Sequence, residues 1–130
     1  IVKKKIKNVL IFGLSYKSNL KVHILSPTIQ LSRYLKKNSV SVTICDPLFS
    51  KKEINEILNV RSMQKVNSLD NFDAIIMMIN HRIFKKFNLL KLIKNPKLKL
   101  ILDNANFFKG KINIDNKTKF IETGQSNWLN

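Results

Sequence analysis

The stretch "FDAIIMMIN", residues 72–80, decides the fold. Its apolar run is far shorter than the roughly 20 residues a membrane-spanning helix needs. As a strand it is apolar on both faces, which suits the middle of a parallel sheet covered on both sides. Working outward, "NVLIF" (8–12) reads as an earlier strand and "VSVTI" (40–44) as another. In the latter, Val40, Val42 and Ile44 point one way and Ser41 and Thr43 the other, a pattern for a strand nearer a sheet edge. Between these two strands, "SPTIQLSRYLKKN" (26–38) predicts a helix with Leu31, Tyr34 and Leu35 on its apolar face. Ser26 is placed to cap it, and Pro27 suits its first turn. Asp46-Pro47 breaks the second strand. A helix over 51–59, a weak strand over 60–63 and helical pieces over 81–86 and 88–94 follow, with strands over 97–103 and 118–124. Strands alternating with crossover helices predict a doubly wound α/β domain. It would be a three-layer, Rossmann-like sandwich with a mainly parallel sheet and helices on both faces.

Residues 1–130 fit one domain with a core of adequate size. The single cysteine, Cys45, excludes an internal disulfide, and a reducing, cytoplasmic compartment is the expectation. The opening "IVKKKIKNVL" does not read as a signal peptide. The net charge of +16 invites a nucleic-acid partner. Against that, only Arg33, Arg61 and Arg82 are arginine, and no basic run exceeds Lys3–Lys5. The joint excess of Lys, Asn and Ile is what AT-rich coding produces. No specific nucleic-acid partner and no membrane partner are expected, beyond weak attraction to polyanions at low salt.

In doubly wound sheets ligands bind beyond the carboxyl ends of the strands. That rule puts four segments on one rim: 13–27, 46–47, 80–81 and 103–106. Gly13 follows the first strand, where the chain turns and a ligand can approach the backbone. Lys17 is placed to bring a point charge to a phosphate or carboxylate. Neither G-x-G-x-x-G nor the P-loop pattern is present. A turn glycine with a solvated lysine accounts for the pair as well as a binding site does. Asp46 reads as a turn-forming Asp-Pro, 33 residues after Gly13. Cys45 reads as a buried, inert thiol, His81 as lining or capping the rim, and Asp103 as a loop cap. The spacing of His23, His81 and Cys45 suggests no metal site.

The stretch "GLSYKSNLKVHILSP" (13–27) resembles the G-L-A-[FY]-K…D-x-R-E-S-P signature that opens the C-terminal UDP-sugar-binding domain of the UDP-glucose/GDP-mannose dehydrogenase family. "TICDP" resembles that family's strand ending in Y-D-P. "FDAIIMMINHRIFKKFNL" is similar to its "ADAVVVATDHDEFKELDL", "LILDNANFF" to its "VIIDGRNIL", and "FIETG" to its last strand. The pieces occur in order and cover nearly the whole chain. The resemblance implies an NAD-dependent enzyme that oxidises the C6 alcohol of a nucleotide sugar to a carboxylate. NAD would be held mainly by an N-terminal domain that this chain lacks, and the catalytic cysteine would lie upstream, so that Cys45 is not that residue. Gly13, Tyr16 and Lys17 would bind the UDP-sugar, and no catalytic residue is expected here. The partners implied are a UDP-sugar and an N-terminal dehydrogenase domain or a second copy.

The departures also carry weight. Val22, Ile24 and Leu25 stand where the family has Asp, Arg and Glu, and Ala105 and Gln125 stand where it has arginines. Ile24 and Leu25 extend an apolar surface, as though the polar loop had been repacked. The chain alone is therefore not expected to catalyse. The alternatives are a non-catalytic interaction module of the same fold and, on charge alone, a polyanion-binding protein.

Overall fold

A computed structural model describes residues 5–109, 111–112 and 118–122. The elements are β1 (Asn8–Phe12), α1 (Pro27–Lys37), β2 (Ser41–Cys45), α2 (Lys51–Leu58), β3 (Arg61–Met63), β4 (Ala74–Met77), a 3₁₀ segment (Arg82–Phe87), α3 (Leu89–Leu92), β5 (Leu100–Asp103) and β6 (Lys119–Glu122). The strands form one sheet in the order β3-β2-β1-β4-β5-β6, and every neighbouring pair is parallel. The Rossmann-like α/β expectation therefore holds.

The alternation of side chains along each strand builds two cores. Val9, Ile11, Val42, Ile44, Ala74, Ile76, Leu100 and Leu102 share one core with Leu35 of α1 and Ile54 of α2. Leu10, Phe12, Cys45, Ile75, Met77 and Ile101 share the other with Phe84, Leu89 and Ile93. The helices thus cover both faces. Each fully buried aliphatic or aromatic side chain contributes about 1.5–3 kcal/mol. All four residues of β4 are buried, as a central parallel strand requires.

Local signals set the helix ends. The Ser26 hydroxyl accepts the Thr28 N–H, and Pro27 occupies the first turn. Ser50 and Glu53 form a reciprocal capping box at the start of α2. The α1 face needs correction: Tyr34 is 55% exposed. The buried residues are Thr28, Ser32 and Leu35, so two small polar side chains share the buried face of the helix. Tyr34 lies one residue, about 100° of helix rotation, away from Leu35. β4 is shorter than expected because the Met78 and Ile79 N–H groups both turn to the Phe12 carbonyl. β2 lies next to the three-residue edge strand β3, in line with its alternating pattern. The end of the last predicted strand, 123–124, lies outside the described residues. Among the described residues no helix is long and apolar enough to cross a membrane.

Candidate functional site

The strand order reverses between β1 and β4, the switch point at which such sheets open a crevice for ligands. The register sets Phe12 beside both Cys45 and Met77, so the chain leaves β1, β2 and β4 at one level. Gly13 is the first residue beyond β1. Its φ is +107°, and a Cβ there would lie 2.7 Å from Ile79 Cβ and 3.0 Å from Ile79 N. The glycine is required because two backbones meet at the switch point. The Thr28 hydroxyl donates to the Gly13 carbonyl at 2.6 Å and ties α1 to the same turn.

Asp46, the residue after β2, is fully buried and organises the rim. Its Oδ2 accepts the Leu14 N–H (2.8 Å), the Ser15 N–H (2.9 Å), the Ser15 hydroxyl (3.0 Å) and His81 Nε2–H (3.0 Å). Its Oδ1 accepts the Leu48 N–H at 3.1 Å, which is the turn expected of Asp-Pro. Burial pushes the Asp46 pKa up, but the His81 bond and the Leu14 and Ser15 N–H groups outweigh it and hold the carboxyl below the usual range.

His81 is 1% exposed and packs against the Phe84 ring. Its Nδ1 accepts the Asn19 N–H at 2.8 Å. A backbone N–H can only donate, so the network assigns the bare lone pair to Nδ1 and the proton to Nε2. Asn19 has φ +62°, a conformation Asn tolerates, and its Oδ1 accepts the Arg82 N–H at 2.8 Å. The long loop after β1 is therefore fastened to the end of β2 and to the start of the 3₁₀ segment.

The fastened loop turns its remaining side chains outward. Tyr16 is 44% exposed, and its N–H donates to the Val22 carbonyl. Lys17 is exposed and makes no ion pair among the described residues. Lys21 pairs with Glu53 at 2.7 Å and lies over the Phe49 ring. The Lys21 bond, with the Ser50 N–H, lowers the Glu53 pKa to about 2. Ile24 and Leu25 lie on the surface, 68% and 79% exposed, in line with the apolar surface expected of them, and Leu25 has φ +69°. Polar bonds to buried Asp46 and His81 give the loop its shape without them.

Asp103 closes the loop after β5 by accepting the Ala105, Phe107 and Phe108 N–H groups, the loop-capping role expected of it. Ala105 packs against the second core, and position 125 lies outside the described residues. Cys45 is buried; burial and the adjacent Asp46 charge push its thiol up to about 12, so it is inert. Among the described residues no three His, Cys, Asp or Glu side chains converge as a metal site.

Local reading assigned Asp46 and His81 modest roles and passed over Ser15 and Asn19. The available signal was an Asp and a His each following a strand end, which parallel topology places side by side. A groove of about 810 Å³ lies elsewhere, between Gln64–Asn67 and the Ile83–Leu92 segment, and neither Tyr16 nor Lys17 lines it.

An all-parallel sheet in this order, with a glycine turn and polar loops at its switch point, defines a Rossmann-like domain of the ligand-binding kind. The chain belongs to the UDP-glucose/GDP-mannose dehydrogenase family: residues 10–110 match that family's UDP binding domain. No curated protein matches it. The residues do not fit NAD in the glycine-rich turn mode. The Cβ position of Gly13 is taken by Ile79, and α1 begins only at Pro27, behind the Ser26 cap.

Proposed function

We propose that this chain is the UDP-sugar-binding part of an NAD-dependent nucleotide-sugar 6-dehydrogenase, in which Gly13, Tyr16 and Lys17 meet the substrate. The observation that supports this is the fastened loop beyond β1, on which the consecutive residues Tyr16 and Lys17 are exposed and Lys17 makes no ion pair among the described residues. Lys17 supplies a point charge to the diphosphate and Tyr16 a flat apolar surface to the base or sugar. The Gly13–Tyr16 backbone lines the cleft. The net charge of +16 draws an anionic substrate toward the rim.

The chain binds and does not catalyse by itself. NAD and the catalytic cysteine belong to an N-terminal dehydrogenase domain, its partner in a reducing, cytoplasmic compartment. Ile24 and Ala105 withhold two of the family's arginines from the site, so affinity in the isolated chain is weak. The test is calorimetric titration of UDP, UDP-glucose and UDP-N-acetylglucosamine, with Lys17→Ala beside the parent. A charge-assisted contact corresponds to about tenfold to a hundredfold in Kd, which the variant should lose. Absence of uridine preference in the parent would overturn the proposal.

The exposure of Ile24 and Leu25 favours a second reading, an interaction module in which those side chains meet another protein surface. It predicts no nucleotide binding up to millimolar concentration.

A further inference from the structure

We infer that His81 is a positioning residue: as the Nε2–H tautomer it joins the Asp46 carboxylate to the Asn19 backbone and so sets where Tyr16 and Lys17 stand. The inference rests on the proposed role of Lys17 at the diphosphate. Its geometric basis is independent of that role. His81 is buried, it has one donor and one acceptor nitrogen, and each is used: Nε2 on Asp46 at 3.0 Å and Nδ1 on Asn19 at 2.8 Å. Asn19 lies two residues beyond Lys17, and its side chain returns a bond to the residue after His81. The Leu20 N–H donates to the Lys17 carbonyl at 3.4 Å, so the anchored turn includes Lys17 itself.

The tautomer makes this anchor sensitive to protonation. A proton added at Nδ1 would face the Asn19 N–H, donor against donor, and that bond must open. The bond to Asp46 becomes an ion pair and strengthens, so the ring stays while the loop leaves. The groups that meet the ring are the Asp46 carboxylate beyond β2, the Asn19 N–H on the loop and the Phe84 ring on its own segment, while Lys17, Lys21, Arg82 and Lys85, nearby in sequence, are exposed. Asp46 is the charged group hydrogen-bonded to the ring.

The experiment uses the 130-residue chain, His81→Phe and His81→Gln. Phe keeps the ring packing on Phe84 and removes both bonds. Gln spaces an amide donor and acceptor much as the two ring nitrogens are spaced, and does not titrate. Ring ¹⁵N shifts at pH 8 should show a protonated Nε2 and a bare Nδ1; the opposite tautomer overturns the inference. Amide exchange at Asn19 should rise about tenfold or more in the Phe variant and return toward the parent in Gln. UDP affinity should fall about tenfold in Phe, recover in Gln, and decline on acidification in the parent but not in Gln. Unchanged Asn19 exchange in Phe overturns the anchor. Raised exchange with unchanged UDP affinity overturns the positioning role. A parent that shows the tautomer and protected Asn19 but binds no UDP overturns the Lys17 proposal, and the positioning role with it. If Phe fails to fold, the parent's ring shifts and the Gln variant's pH dependence decide.

Discussion

Asp46→Asn alters almost no volume and tests the rim directly. Oδ2 accepts four donors and Oδ1 one. An amide cannot satisfy both sides. With its oxygen toward the four donors, its NH₂ meets the Leu48 N–H across 3.1 Å, donor against donor. The opposite flip sets NH₂ against four donors and is worse. In the better flip, four bonds to a charge become bonds to a neutral oxygen. The difference is about 1 kcal/mol for each well-aligned bond, or about 2–4 kcal/mol for four that share one atom. The orphaned Leu48 N–H adds about 1 kcal/mol, and relief from burying a charge returns a similar amount. The net loss is about 2–4 kcal/mol, a large part of the 5–15 kcal/mol usual for a domain. Urea unfolding at pH 7, followed by far-UV circular dichroism, should show a lower midpoint with an unchanged slope. A loss below about 1 kcal/mol would refute the reasoning. It would mean that buried Leu14 and the Thr28–Gly13 bond hold the turn without the carboxylate.

Gly13→Ala combines a disfavoured φ with a 2.7 Å approach to Ile79, so a loss of about 2–5 kcal/mol is expected in the same assay. Acid titration has a defined sign. The Asp46 pKa is lowered on folding, so its stabilisation is complete above about pH 4 and is lost as pH falls through the folded value. The stability gap between the parent and Asp46→Asn should therefore hold above about pH 4 and narrow as pH falls below it. Cys45, at about 12 and fully buried, should resist a thiol-specific disulfide reagent at pH 8 until the chain is unfolded. Leu25→Gly should stabilise the chain by about 0.5–1 kcal/mol. Relief of a bulky residue at φ +69° exceeds the added freedom of the unfolded glycine.

The elements legible in the sequence were those with local causes. The short continuous apolar runs of "NVLIF" and "FDAIIMMIN" located β1 and β4; β1 ends at Phe12 as read, whereas β4 ends at Met77, three residues before the predicted end. Ser26-Pro27 marked the start of α1, and the rim followed once the sheet was taken as parallel. Tyr34 was misplaced because apolar spacing cannot show that the polar Thr28 and Ser32 share the buried face of α1 with Leu35. At the site, Gly13, Lys17 and the signature around them were legible, but the reason for the glycine was not. Ile79, which takes the space of a Cβ at Gly13, is 66 residues away along the chain.

By itself, then, the sequence determined the alternation of elements, the parallel class and the family, because periodicity, caps and signature residues act over a few neighbouring positions. Tertiary structure alone decided how the rim is held. Asp46 meets His81 across 35 residues and His81 meets Asn19 across 62. No local pattern encodes those bonds. They exist because the register brings Phe12, Cys45 and Met77 to one level, so that the loops beyond them share a small space in which buried polar groups must find one another.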